Sequence, residues 1–389
     1  MVGNRIANWF SPAHVSAGFI AVLVGYTSSA AIVFEAARAA GASPAEMASW
    51  LWALGIGMGL TCIGLSLYFR SPVLTAWSTP GAALLATGLA GVSMADAIGA
   101  FVFASALIAL CGVTGWFDQI MRRIPKALAS AMLAGVLLQF GLDVFAALAH
   151  QRLLVSLMLG LFLVARRHLP RYAVPMTFLL GLVVAAAQGM IRVASISVAF
   201  THPVWTSPAF SLPVVLGVGL PLFIVTMASQ NVPGMAVLRT NGYATPSSPL
   251  ISWTGLTGVL LAPFGGFSFN LAAITAAICM SKDADPDPTR RYRAAVWAGV
   301  FYLVTGVMGA TIASVFAAFP PALVVAIAGL ALLGTIGNSL LNALGTEDER
   351  EPALVTFLVT ASGLTMFGIG SAFWGLALGI AASWIFERR

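Results

Sequence analysis

Apolar residues in this chain come in long uninterrupted blocks rather than in the alternating stripes of a water-facing fold. The blocks Val15 to Phe34, Met47 to Tyr68, Ala97 to Gly115 and Ala127 to Leu148 are each long enough to cross a hydrocarbon core of about 30 Å as a helix. Shorter blocks follow at Leu153 to Ala165 and Val174 to Ile191. After a Pro-containing stretch the pattern resumes with Leu212 to Val237, Leu250 to Pro263, Val296 to Phe316, Ala322 to Leu344, Ala353 to Ile369 and Phe373 to Phe386. Two further apolar segments break the rule. In Ser71 to Leu85 an extended run meets a helix-start signal, with Thr79 as N-cap and Pro80 as first helical residue, and the apolar run then ends near Ala90. Such a helix is about 15 Å long and begins at mid-depth. Phe264 to Thr275 repeats the plan, with glycine and aromatic residues, a capping Asn270 and a short helix ending near Met280.

Non-helical backbone cannot face lipid, so two such breaks are expected to be buried and to line a cavity, their free amides and positive helix ends aimed at one place. Secondary transporters hold the anionic part of a substrate this way, between repeats of opposite orientation. The pattern therefore predicts an all-α polytopic membrane protein of fourteen transmembrane segments. Residues 1–192 form a first repeat of seven, 193–211 an outer linker and 212–389 a second repeat of seven, with half-helices at the third and tenth positions. An odd number of crossings per half inverts the second half.

Charge agrees with that topology. Only 8% of residues are charged against 59% hydrophobic, far from the quarter or so of a soluble domain. Of 19 Lys and Arg, all but Arg38, Arg152 and Arg192 fall on the side predicted to be cytoplasmic, together with both termini. The basic excess lies in short loops, which argues against a nucleic-acid partner. Cys62, Cys111 and Cys279 lie inside apolar spans and His14, His150, His168 and His202 are scattered, so neither a metal site nor another cofactor is expected, nor the paired groups of an intramembrane enzyme.

The residues proposed for a binding site are polar or aromatic side chains at lipid depth. They are Tyr26 and Ser28 of the first span, Trp77 and Thr79 of the first break, Gln230 and Asn231 of the eighth span, and Phe269 and Asn270 of the second break. No arginine is expected at mid-depth. Carrying one negative charge into a negative interior costs about 2.3 kcal/mol per 100 mV, and a co-transported proton removes that penalty. Glu35, Asp96 and Asp143 are the acids near membrane depth, and Asp143 is the candidate proton carrier; the alternative is a substrate that brings its own proton.

The run Ala13 to Ala37, the motif Ser71-Pro72-Val73-Leu74-Thr75-Ala76-Trp77-Ser78-Thr79-Pro80-Gly81 and the motif Ala228-Ser229-Gln230-Asn231-Val232-Pro233-Gly234 resemble the benzoate/proton symporter (BenE) family along the whole chain. More distantly, the plan is similar to the uracil/proton symporter architecture, in which spans one to four and eight to eleven form a core domain and the others a gate domain. The resemblance implies alternating-access import of benzoate or a related aromatic carboxylate with a proton across the bacterial inner membrane. Nucleobase symporters carry carboxylates where Gln230 and Phe269 or Asn270 stand here, which suits a ligand with its own negative charge. The competing readings on the same fold are an anion channel or exchanger for small inorganic anions and a nucleobase-type permease. The spans Ala127 to Leu148 and Ala322 to Leu344 carry apolar faces that a homodimer contact would use, and the oligomeric state stays open.

Overall fold

The computed structural model describes residues 11–116, 125–367 and 369–386, with Ser28, Arg171 and Ser195 described in their backbone alone. The predicted cytoplasmic ends, Arg122 and Arg123, and the side chain of Ser28 therefore lie outside the described residues. In the first half the helices are α1 (Pro12–Ala39), α2 (Pro44–Phe69), α3 (Thr79–Gly88), α4 (Met94–Val113), α5 (Lys126–His150), α6 (Arg152–His168) and α7 (Ala173–Ala187). In the second half they are α8 (Leu212–Thr240), α9 (Ser247–Leu261), α10 (Ile274–Cys279), α11a (Tyr292–Val307) with α11b (Gly309–Ala318), α12 (Pro321–Leu344), α13 (Arg350–Ala361) and α14 (Ser371–Phe386).

Local chemistry sets several starts. Ser43 and Glu46 close a reciprocal capping box on α2, Ser93 caps α4 through the Asp96 amide, and Pro44 and Pro321 occupy first-turn positions where a missing N–H costs nothing. Helix α8 is not uniformly α-helical. Its turns widen to π geometry at Val215–Gly219 and Met227–Asn231, each two residues before a proline, Pro221 and Pro233, whose ring cannot donate to the carbonyl four residues back.

Among the described residues, five helices (α2, α4, α5, α8 and α12) are long and apolar enough to span a membrane, or up to seven if the bent pairs in α1 and α11 each count as one. The fourteen expected segments all find a helical element, but length and composition do not mark fourteen crossings. The shortfall has plain causes: α3 and α10 are half-length, α7 and α14 are short, and α11 bends by 69° between Val307 and Gly309. The all-helical architecture holds with one local exception. The two broken segments pair with each other as a two-stranded antiparallel sheet, β1 (Thr75–Ala76) with β2 (Asn270–Leu271).

Helix packing falls into two groups. In one, α2 packs on α11a, α4 on α9, and α1 on both α3 and α11a; in the other, α5 packs on α12 and α13, α13 on α14, and α6 on α7. The α2–α11a crossing is close because glycines face each other. A Cβ on Gly59 would stand 2.9 Å from the Gly299 carbonyl oxygen, and one on Gly306 3.0 Å from Gly55 Cα. Since α5 and α12 pack on one another, the apolar faces assigned to a dimer contact are in part already used.

Candidate binding site between the two breaks

Backbone polar groups at the two breaks lie outside any helix, and the fold satisfies them from both halves. On the β1 side, α2 supplies the partners: Ser66 Oγ accepts from Val73 N at 3.1 Å, Cys62 Sγ accepts from Thr75 N at 3.2 Å, and the Thr61 and Thr75 hydroxyls lie 2.6 Å apart. On the β2 side, Leu271 N donates to Asn231 Oδ1 at 2.9 Å and Ala272 N to the Leu74 carbonyl at 2.9 Å. The register sets Thr75 opposite Leu271 and Ala76 opposite Asn270.

The sheet fixes where the half-helices begin, and both starts differ from expectation. Ser78, not Thr79, caps α3, accepting from Gly81 N at 3.0 Å, which moves Pro80 to the second helical position and frees the Thr79 hydroxyl. Asn270 does not cap α10. It stays in β2, with Nδ2 donating to the Leu271 carbonyl at 3.2 Å, and the helix starts only at Ile274 with no side-chain cap from Ala273. The first amides of α10 are therefore without a side-chain acceptor.

A cavity of ≈ 1580 Å³ runs from these starts, lined by Trp77, Thr79, Ala273 and Thr275, to helix ends bearing Lys126, Arg239 and Glu349. Its inner wall is aromatic. Trp77 donates from Nε1 to Ser29 Oγ at 2.8 Å and meets Tyr26 edge-on with ring centroids 4.9 Å apart. Tyr302 of α11a also lines the cavity although only 2% exposed, and its hydroxyl has no hydrogen-bond partner among the described residues. The Tyr26 hydroxyl is buried beside the Thr305 hydroxyl, which donates to the Tyr302 carbonyl at 3.0 Å.

Of the predicted residues, Trp77, Thr79 and Gln230 line the cavity. Tyr26 stands behind Trp77 rather than on the cavity surface. Asn231 and Asn270 are fully buried and serve β2. Phe269 is 1% exposed and packs on α2, where a Cβ on Gly57 would reach its Cζ at 2.5 Å, so its ring supports the break and does not line the cavity. Asp143 lies outside the lining, accepting from Gln139 Nε2 at 2.7 Å on an exposed face of α5. Ser29 and Tyr302 join the site without having been singled out. Ser29 had a signal, as the last of four consecutive hydroxyl residues, Tyr26 to Ser29, at lipid depth, whereas Tyr302 sits in an ordinary apolar span and had none.

Comparison with known proteins fits this geometry. The transmembrane domain of a cyanobacterial bicarbonate transporter, BicA, superposes with a TM-score of 0.59 at 12% identity, covering 95% of this chain and 97% of that one. The murine Solute Carrier 26 family member A9 anion transporter in its inward-facing state gives 0.58 at 12% identity over 96% of this chain and 68% of that one. At such identity these establish the fold alone. Sequence relatives are nearer: Inner membrane protein YdcO of Escherichia coli is 52% identical over 95% of this chain and 94% of its own length. A Benzoate membrane transport protein of Acinetobacter baylyi is 40% identical over the same shares. The BenE family pattern, described as Benzoate membrane transport protein, matches residues 8–385, and with this helical architecture the chain belongs to that family of membrane transporters and is not an enzyme.

Proposed function

We propose that the protein imports an aromatic carboxylate, benzoate foremost, together with a proton by alternating access in the bacterial inner membrane. The observation that carries this reading is the cavity ending at two half-helix starts beside Trp77 and the unpartnered Tyr302 hydroxyl. A ring packs against Trp77, and the carboxylate takes hydrogen bonds from the α3 and α10 amides, Thr79, Gln230 and Tyr302. Fourteen crossings in two inverted repeats are supported by the packing. The α2–α11a pair becomes the α9–α4 pair when each helix is advanced by seven, and α5–α12 maps onto itself. By the positive-inside rule, Lys126 and Arg239 at the cavity mouth support a cytoplasmic open side and so an inward-facing state.

The position of Asp143 favours the substrate itself as proton carrier. Among the described residues, Glu349 is the one carboxylate in the lining, and it stands at the mouth. Cells expressing the protein are expected to accumulate radiolabelled benzoate in response to an inward proton gradient, and Asp143→Asn to keep that coupling. No uptake above a vector control refutes the substrate assignment, and accumulation that follows a sodium gradient instead refutes the proton.

A further inference from the structure

Arg166 belongs to the last turn of α6, where the sequence reads as a loop-facing basic cluster, yet its side chain does not turn away from the bundle. The guanidinium lies against Gly334 of α12. A Cβ built there would overlap Nη2 and come within 3.1 Å of Cζ, so this glycine makes room for the cation. Gly334 is ten residues before Leu344, the last residue of α12, or about 15 Å along the helix axis. Arg166 itself is exposed to the cavity at the level of Gly334, and a cation held beside a membrane-spanning helix calls for a compensating partner or a polar lane.

No carboxylate among the described residues pairs with Arg166, whose recorded neighbour is the Phe162 ring, 5.9 Å from Cζ to centroid. The polar lane is present. Thr335, Asn338, Asn342 and Thr346 recur at helical spacing along α12 and its end, and all line the cavity that Arg166 also lines. Cation and amides thus line the same cavity as the half-helix starts, Arg166 from α6 and the amides from α12.

We propose that Arg166, with Asn338 one turn beyond Gly334 on α12, forms a second carboxylate station in the cavity wall, which holds the substrate anion on its passage between the half-helix site and the cavity mouth. This rests on the functional reading above, and its ligand is the same aromatic carboxylate in anionic form. A guanidinium offers two parallel N–H donors to a carboxylate, and a carboxamide adds a third from the neighbouring turn. The station acts on substrate entering or leaving through the open cavity and has no part in binding from the other face.

The test is a two-sided measurement on purified protein in proteoliposomes of defined orientation, reading half-saturating benzoate for flux from each face. Arg166→Gln is expected to raise that value about tenfold from the cavity face and to leave it unchanged from the opposite face. Gly334→Leu keeps the arginine but displaces its flexible end from α12, and is expected to give the same one-sided shift. Equal shifts on both faces, or none, overturn the station while leaving the transport function standing. Wild-type protein that moves no benzoate in this assay overturns the functional reading and the station with it.

Discussion

Replacing Asn231 by alanine removes the acceptor of the Leu271 amide and leaves every cavity-lining side chain in place. Asn231 is fully buried, its Oδ1 accepts from Leu271 N at 2.9 Å, and its Nδ2 reaches Met227 Sδ at 3.2 Å. An amide stranded without water or a partner costs about 1–3 kcal/mol, and the weak bond to sulfur adds little. The neighbouring Gln230 is the opposite case: it lines the cavity and has no side-chain partner among the described residues, so truncating it strands nothing. Melting in detergent, followed by tryptophan fluorescence, is expected to fall clearly for Asn231→Ala and to stay at the wild-type value for Gln230→Ala. Benzoate affinity is expected to fall about tenfold in Gln230→Ala, for loss of a hydrogen bond to a charged group. An Asn231→Ala protein that melts with the wild type but no longer binds benzoate would falsify the division of labour, because it would make Asn231 a ligand contact.

Other measurements follow from the same geometry. Tyr302→Phe removes one hydroxyl and no packing volume, so it is expected to weaken benzoate binding severalfold at unchanged thermal stability; a stability loss with wild-type affinity would mean the hydroxyl has a structural partner. Gly265 has φ 95°, and a Cβ there would overlap the buried Trp50 indole, so Gly265→Ala is expected to destabilise the fold by more than the ~1–2 kcal/mol of a left-handed backbone alone, read as loss of monodisperse protein in detergent. A cysteine replacing the exposed Ser207 in the 193–211 linker is expected to react with an impermeant thiol reagent on intact cells, and one replacing the exposed Glu347 only after permeabilisation; the reverse labelling inverts the topology.

The sequence made both breaks visible, because Pro80 and the Gly265-Gly266 pair interrupt apolar runs that lipid would otherwise make helical. The caps were less legible. Ser78 and Thr79 are adjacent and equally able to accept from a backbone amide, and the choice falls to whichever residue β1 leaves extended. Asn270 was misplaced for a non-local reason, since it stays extended to pair with Ala76, a partner no local pattern reveals. Tyr302 and Arg166 acquire their surroundings only when α11a meets α1 and α6 meets α12. An apolar span and a basic helix end do not announce such contacts in advance.

The β1–β2 ladder has a consequence for the order in which the protein is built. Thr75 and Leu271 are separated by about 200 residues, so at ribosomal speeds the first strand leaves the translocation machinery roughly 10 to 40 s before its partner exists. It is not left bare in that interval: the bonds to Ser66, Cys62 and Thr61 all come from α2, which is synthesised first. The second strand has the complementary arrangement, receiving Asn231 from α8 just upstream and the Leu74 carbonyl from the waiting first half. Each half carries its own scaffold for the exposed backbone, and the binding cavity comes into being only when the nascent chain closes on a template it has already made.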